Sequence, residues 1–201
     1  MKPYAESCDQ NRDPILGVLT RLFAHSTKVL EIGSGTGQHA VYFSRNLPHL
    51  IWHASDRAAS LPGIRLWLEE AGLANLQGPL LLDVTQTVWP HIVVDAVFSA
   101  NTAHIMHWHE VQAMFTGVGR LLSGDGVFAL YGPFNYQGSY TSDSNARFDQ
   151  WLKARDPMSG IRDFGELNQL ATEAGMTLVE DFIMPANNRI LSWRRAMEDD
   201  A

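Results

Sequence analysis

Three glycines lie within five residues, directly after an apolar run and directly before a stretch with helical spacing. They are Gly33, Gly35 and Gly37, in the segment VLEIGSGTGQHA. Glycine tolerates positive φ and lets backbone N–H groups approach a ligand closely, and the start of the following helix carries a partial positive charge. The segment is therefore predicted to be a strand-to-helix turn that binds a ligand.

The residues around this turn narrow the class of ligand. Gln38 stands where the dinucleotide fingerprint G-x-G-x-x-G has its last glycine, and the Gly-Lys-Ser/Thr ending of a phosphate-binding loop is missing. These departures disfavour an NAD-dependent oxidoreductase and an ATP-binding protein. Glu31 is expected near the mouth of the turn, where a carboxylate suits a ligand with positive charge better than one with several phosphates.

Two further carboxylates follow the next predicted strands. Asp56 ends the segment LIWHASD, where a carboxylate can accept hydrogen bonds from both hydroxyls of a ribose, and Asp83 follows in PLLLDV. Taken separately, each of the two acids could instead be an ordinary helix cap or turn former. Parallel strands bring their carboxyl ends to one edge of the sheet, so these acids and Glu31 are expected around one site. A ligand with an amine, a ribose and an adenine but no phosphate would use all three, and S-adenosylmethionine is such a ligand.

Strands and helices alternate along the chain. Asp13 suits an N-cap and Pro14 a first helical residue, so the first helix is predicted to begin there. The short PANN segment between the last two strands predicts an antiparallel pair at one edge of a mostly parallel sheet with helices on both faces. The predicted strands are 28–32, 50–56, 79–84, 94–100, 127–132, 176–184 and 188–194, and the predicted helices are 13–23, 39–47, 64–71, 111–122 and 164–175.

The motifs VLEIGSGTGQ, SD at 55–56 and LDV at 82–84 resemble those of the class I S-adenosylmethionine-dependent methyltransferases. Over almost the whole chain, NRDPIL, SANTAHI, LYGPF, SNARFD, ARDP and MPANN are similar to the methyltransferase-like 26 family, a domain of unknown function named DUF938. The resemblance implies a doubly wound, seven-stranded, Rossmann-like α/β fold whose last strand is antiparallel. It also implies that the glycine turn holds the methionine part of the cofactor, Asp56 the ribose, and Asp83 with Val84 the adenine. The residues expected to bind S-adenosylmethionine are Glu31, Gly33, Ser34, Gly35, Gly37, Gln38, Asp56, Asp83, Val84 and Asn101.

Methyl transfer from a sulfonium is a direct displacement, so the protein must mainly align the acceptor and exclude water. After the fourth predicted strand, Asn101 can position an acceptor and His104 can take a proton, although His104 could equally have a structural role. Asn101 lacks the Asn-Pro-Pro-aromatic pattern associated with methylation of adenine N6 or glutamine, which disfavours those acceptors. His104, His107 and His109 match no standard metal-ligand spacing, so no metal site is predicted and surface or capping roles are favoured.

The segment YGPFNYQGSYTSDSNARFD (131–149) is long, aromatic and polar, which is typical of a lid or substrate wall; the alternative is a surface connection. A segment before the first helix could fold over the cofactor, although Arg12 could instead be an ion-pair partner. Arg155 in ARDP could bind an anion or simply favour a helix end. The candidate substrate residues are Asn11, Arg12, Phe134, Tyr136 and Arg155.

Length and composition limit the remaining alternatives. The 201 residues predict one domain, 1–201, and a net charge of -7 with scattered Lys and Arg disfavours a nucleic-acid partner. The single cysteine, Cys8, and the lack of a signal-like or membrane-spanning run favour a cytoplasmic protein with no membrane partner. The predicted function is methyl transfer from S-adenosylmethionine to a small molecule or a protein side chain. The alternative is a non-catalytic cofactor-binding or interaction module.

Overall fold

The computed structural model describes residues 2–197. Its strands are β1 (Lys28–Ile32), β2 (Ile51–Asp56), β3 (Leu76–Leu81), β4 (Val94–Ala100), β5 (Leu122–Gly132), β6 (Phe134–Asn135), β7 (Arg162–Asp163), β8 (Met176–Met184) and β9 (Asn188–Arg195). Seven of them form one sheet in the order β3-β2-β1-β4-β5-β9-β8, and β6 pairs with β7 separately.

The direction of each strand in the large sheet confirms the predicted fold class. β1 pairs in parallel with β2 and β4, and β5 pairs in parallel with β4. β9 is antiparallel to both β5 and β8, so it is the one reversed strand of this sheet. The strand order changes direction between β1 and β4, and open sheets of this kind bind ligands beyond the carboxyl ends of the strands at that point.

Helices cover both faces of the sheet. They are α1 (Glu6–Leu22), α2 (Gln38–Asn46), α3 (Leu61–Ala71), α4 (Trp108–Leu121), α5 (Asp143–Arg155) and α6 (Phe164–Glu173). Successive strand residues point to opposite faces, so Val29 packs in one buried cluster with α1, α2 and α3, and Leu30 packs in another with α4 and α6. No helix within residues 2–197 is both long and apolar enough to span a bilayer.

The start of α1 differs from the prediction. The helix begins at Glu6 and contains Pro14, so the predicted start at Asp13 and Pro14 was wrong. Proline inside a helix removes one backbone hydrogen bond, but contacts with α2 hold the first turns in place. The backbone N–H of Ala5 donates to Gln38 Oε1 at 2.6 Å, which fixes the chain just before the helix.

Two other segments also depart from the predicted elements. β3 ends at Leu81, so Asp83 lies just beyond the strand rather than within it, as the predicted strand 79–84 had placed it. The segment 131–149, predicted as a loop, enters α5 at Asp143. Ser142 caps this helix, because its side-chain oxygen accepts a hydrogen bond from the Asn145 backbone N–H at 3.1 Å. The predicted loop is therefore shorter than the sequence pattern indicates.

Candidate functional site

The glycine turn joins β1 to α2 at the carboxyl edge of the sheet. Gly33, Gly35 and Gly37 have φ angles of 73°, 59° and 93°, a region that side chains other than glycine rarely adopt. Gly37 is the N-cap of α2, and the Ser34 backbone N–H ties the turn to β2 by donating to the Ser55 carbonyl at 2.9 Å. A Cβ atom at Gly35 would meet nothing within 4 Å, so the backbone there faces open space. The turn can therefore receive a ligand at Gly35.

Asp56, the last residue of β2, lies against this turn. Its Oδ2 accepts a hydrogen bond from the Gly35 backbone N–H at 2.8 Å, and its Oδ1 accepts one from the Arg57 backbone N–H at 2.7 Å. An ionised carboxylate has about four acceptor positions, so two remain for hydroxyl groups of a ligand. The structure thus brings together two of the predicted cofactor-binding groups.

Glu31 lies beneath the turn and not at its mouth, where it was expected. Its side chain is 2% exposed, and its Oε2 accepts hydrogen bonds from Ser34 Oγ at 2.8 Å and Trp52 Nε1 at 3.2 Å. Burial raises the pKa of this carboxyl to about 7, with a smaller contribution from the nearby Asp56 charge. Glu31 therefore supports the turn from below.

The raised pKa of Glu31 predicts a specific pH dependence of stability. The ordinary pKa is 4.5 and the folded value about 7, so the unfolded chain ionises first as the pH rises. The contribution of Glu31 to the free energy of unfolding is fully present below pH 4.5 and is lost as the pH rises through 7. The loss is about 3 to 4 kcal/mol, since one pKa unit is about 1.4 kcal/mol. Urea unfolding of the wild type and Glu31→Gln from pH 4.5 to 8 should show the variant gaining relative stability with pH. A constant difference between the two proteins would contradict the burial of an ionisable acid at this position.

Asp83 lines an open groove of about 750 Å³ beside Asp56. The groove lies between the segment after β2 and the segment after β3, and its lining residues are Arg57, Ala58, Ala59, Ser60, Leu81, Asp83, Gln86, Thr87 and Val88. Thr85 donates to Asp83 Oδ1 from its hydroxyl at 2.7 Å and its backbone N–H at 3.0 Å, and these bonds lower the pKa of the carboxyl. Val84 is 7% exposed and packs in the core. The predicted adenine site thus offers one carboxylate at the surface and one buried apolar side chain.

The loop after β4 lies next to the glycine turn. A Cβ at Gly33 would stand 2.6 Å from Thr102 Cγ2, so only glycine allows this close approach. Asn101 begins the loop with a φ of 58°, a strained conformation that is often found at functional sites. His104 is 5% exposed and meets the Phe148 ring edge to face, with 5.2 Å between ring centroids. Burial, with help from the Arg162 charge, lowers the pKa of His104 to about 4.

Residues of the segment after α5 hold the loop after β4 in place by donating hydrogen bonds to the backbone carbonyls of that loop. Arg162 Nε donates to the Ala103 carbonyl at 3.0 Å, and the Gly160 backbone N–H donates to the His104 carbonyl at 2.9 Å. Ser159 Oγ donates to the Ile105 carbonyl at 2.8 Å. The position of His104 therefore depends on residues that are distant in the sequence.

The other two histidines of the predicted cluster are close to each other but have different surroundings from His104. His107 caps α4 together with Glu110, and its Nε2 lies 2.7 Å from Asp156 Oδ2. The rings of His107 and His109 have centroids 5.8 Å apart. Within residues 2–197, no group of three or more His, Cys, Asp or Glu side chains is arranged to hold a metal ion.

The first half of α1 lies over α2, next to the glycine turn. Asn11 and Arg12, predicted to precede the first helix, are inside it. Asn11 Oδ1 lies 2.7 Å from His39 Nε2, so Asn11 is attached to the second residue of α2. Arg12 forms an ion pair with Asp9 at 2.6 Å, and its guanidinium lies 4.7 Å from the centre of the Tyr42 ring. Arg12 thus has an ion-pair partner, the alternative role that the sequence left open.

The structure separates the other candidate substrate residues. Phe134 is 1% exposed and belongs to the core, so it offers no free surface to a substrate, contrary to its expected place in a wall. Tyr136 donates its hydroxyl to Asp181 Oδ2 at 2.6 Å and stacks on Phe164. Arg155 lies at the end of α5, with its guanidinium 4.1 Å from the centre of the Trp151 ring. These three residues are not gathered around the glycine turn by any contact that the structure shows.

Two polar residues at the carboxyl edge of the sheet, His39 and Tyr131, were not among the candidate site residues predicted from the sequence. His39 is 5% exposed, and burial lowers its pKa to about 4. Tyr131 is the second-last residue of β5 and lies at the same edge of the sheet. Its carbonyl accepts a hydrogen bond from the Asn101 backbone N–H at 2.9 Å. Burial raises the pKa of Tyr131, while hydrogen bonds from Asn11 and Asn188 act in the opposite direction. The position of His39 directly after the glycine turn was the available signal.

Several solved structures share this fold. An O-methyltransferase family protein from Burkholderia thailandensis is 14% identical with a TM-score of 0.81, and the alignment covers 93% of this chain and 57% of that one. The S-adenosylmethionine-dependent methyltransferase SibL, in its apo form, is 21% identical with a TM-score of 0.80 over 94% of this chain and 56% of the other. An O-methyltransferase family 2 protein from Planctomyces limnophilus, in complex with apigenin, is 13% identical with a TM-score of 0.80 over 94% and 60%. The chain has the methyltransferase fold and spans a little over half the length of these proteins.

A family model identifies the family of the chain. The model described as a protein of unknown function, DUF938, matches residues 2–195. The chain therefore belongs to the DUF938 family.

Proposed function

We propose that the protein binds S-adenosylmethionine at the glycine turn and transfers its methyl group to a small molecule or, alternatively, a protein side chain. One observation carries the proposal: Gly35 faces open space and donates its N–H to Asp56 at the carboxyl edge of the sheet. The methyltransferase fold of the chain supports it.

The residues present fit this cofactor. Gln38 is 5% exposed, and its Nε2 is buried without a hydrogen-bond partner within residues 2–197. A buried donor without a partner is costly, so Gln38 is suited to the carboxylate of the methionine part. Asp56 retains acceptor positions for the ribose hydroxyls, and Asp83 lies in the adjoining groove for the adenine. The bound cofactor would supply an electrophilic methyl on a sulfonium.

The loop after β4 would receive the methyl acceptor. In the proposed mechanism Asn101 positions the acceptor by hydrogen bonding, and His104 stays uncharged at neutral pH because its pKa is about 4. An uncharged imidazole does not repel a sulfonium, but it holds an abstracted proton weakly. The site therefore favours an acceptor that arrives already ionised, such as a carboxylate, or one that loses its proton to water.

Isothermal titration of the purified protein with S-adenosylmethionine and S-adenosylhomocysteine tests the cofactor assignment. We expect both to bind and to raise the melting temperature, because a ligand that binds only the folded state stabilises it. NAD in the same titration should give no heat. Absence of heat and of a thermal shift at millimolar S-adenosylmethionine would refute the proposal, and tight binding of NAD would revive the oxidoreductase alternative.

A second candidate function is a cofactor-binding module without catalysis. The low pKa of His104 favours it, since the candidate base is weak. Incubation of a cell extract with the protein and methyl-labelled S-adenosylmethionine separates the two candidates. Labelling of one metabolite or one protein supports transfer, whereas retained cofactor binding with no labelled product supports the module.

A further inference from the structure

A stripe of charge and aromatic surface runs along the outer face of α5. Arg147, Trp151 and Arg155 are spaced by four residues, which places them on one side of the helix. All three are exposed, and Trp151 has 49% of its surface accessible. The Arg155 guanidinium stacks on the Trp151 ring at 4.1 Å from its centre. This arrangement, here called the α5 stripe, is accessible to a partner.

The two arginines of the α5 stripe have no acidic partner within residues 2–197. Neither Arg147 nor Arg155 forms an ion pair in the part of the chain that the structure describes, although other cations of the protein do. The helix cation nearest to them in sequence, Lys153, is bound to the buried Asp149 at 2.6 Å. Asp143, one turn before Arg147, is the exposed acid that ends the stripe. Arg45, Arg65 and Arg120 are also exposed and form no ion pair within residues 2–197, so the α5 stripe is distinguished by the spacing of its arginines around Trp151 and not by their lack of partners.

An exposed apolar surface lies just beyond the end of α5. Met158 and Ile105 are 57% and 56% exposed, and Ser159 joins their segments by donating to the Ile105 carbonyl. Trp151 stacks on Phe148 with 5.8 Å between centroids, and Phe148 contacts His104. The surface formed by these residues is therefore adjacent to the loop after β4.

We propose that the α5 stripe docks an acidic protein segment, in which two carboxylates flank an apolar side chain. A guanidinium binds a carboxylate through two parallel hydrogen bonds, and exposed Trp and Arg are the residue types that dominate protein interfaces. Arg147 and Arg155 are about 12 Å apart along the helix axis at about 1.5 Å per residue. Two glutamates eight residues apart on a partner helix, with leucine midway, match this spacing.

A protein partner fits these observations better than a nucleic acid. Nucleic-acid sites draw their affinity from clustered Lys and Arg, whereas the α5 stripe offers two free guanidiniums on an acidic protein. The apolar side chains of Met158 and Ile105 have no counterpart on a phosphate backbone but can pack against a peptide. Docking on the α5 stripe can be measured without S-adenosylmethionine, so its outcome is independent of the proposed methyl transfer.

The test uses a fluorescein-labelled peptide with the pattern Glu-x-x-x-Leu-x-x-x-Glu, an otherwise identical peptide with Gln for Glu, and a single-stranded RNA oligonucleotide. We expect the fluorescence anisotropy of the labelled acidic peptide to rise when it binds, and its affinity to fall at high salt. Bound peptide should also protect Trp151 from quenching by acrylamide. Arg147→Glu with Arg155→Glu should weaken binding by roughly tenfold or more, because two attractions become repulsions.

The matched control is Arg65→Glu with Arg120→Glu, which makes the same change of charge at exposed positions on α3 and α4. This control should bind like the wild type, and equal melting temperatures of all three proteins should show that folding is intact. No binding of the acidic peptide, equal binding to the Gln peptide, or equal weakening by both double variants would overturn the proposal. Tighter binding of the RNA would assign the surface to nucleic acid instead.

Discussion

Gly35→Ala should abolish or strongly weaken S-adenosylmethionine binding while leaving the protein folded. The φ of 59° at this position costs an alanine about 1 kcal/mol or slightly more. Because a Cβ there meets no protein atom within 4 Å, the fold has no other reason to reject it. A bound cofactor would occupy that space, so the added methyl should weaken its affinity by about tenfold or more, which corresponds to about 1.4 kcal/mol.

Gly72→Ala is the matched control for this experiment. Gly72 ends α3 with a φ of 56°, and a Cβ there also meets nothing within 4 Å. Both variants should therefore lose a similar free energy of unfolding, measured in urea, but only Gly35→Ala should lose affinity in titration calorimetry. Equal affinity in the wild type and both variants would place the cofactor, if it binds, away from the turn.

Gly35 and Gly72 also show which parts of the structure could be predicted from the sequence. Each glycine marks a backbone position that needs positive φ, and this property is local. The turn was therefore predicted from residue type, and the predicted helix 64–71 ends directly before Gly72, as α3 does. The strands β1, β4 and β8 have the predicted bounds, because each is a short apolar or alternating run between clear breaks.

The orientation of Glu31 could not be read in the same way. It depends on Trp52 in β2 and Ser34 in the turn, which donate to one carboxylate oxygen and draw the side chain inward. The start of α1 likewise depends on a contact with another element, since the backbone N–H of Ala5 donates to Gln38 Oε1 just before the helix. Sequence spacing contains no information on such contacts between elements.

α5 differs from these cases, because its signals were present in the sequence. Ser142 is a favourable N-cap, Phe148 and Leu152 lie four residues apart, and the last turn is basic. The aromatic and polar composition of 131–149 obscured the helix. The helix α5 matters for the candidate site, since its residue Phe148 contacts His104.

Asp56→Ala should weaken S-adenosylmethionine binding by on the order of 1 to 3 kcal/mol, because the ribose hydroxyls would lose a charged acceptor. Titration calorimetry measures the affinity, and urea unfolding measures the separate loss of stability from the hydrogen bonds to Gly35 and Arg57. Asp56 also raises the pKa of Glu31, so the variant should shift the pH dependence of stability to slightly lower pH.

Asp95→Ala provides the comparison that isolates the ribose contact. Asp95 near the start of β4 also accepts hydrogen bonds from two backbone N–H groups, those of Thr27 and Lys28, and one more from the Thr27 hydroxyl, but it lies at the opposite edge of the sheet. Asp95→Ala should therefore lose at least as much stability as Asp56→Ala, while cofactor affinity falls in Asp56→Ala alone. If affinity is unchanged in a folded Asp56→Ala protein, the ribose is not held by this carboxylate. If both variants lose affinity equally, the loss comes from general destabilisation of the sheet, and the assignment of Asp56 fails on that ground too.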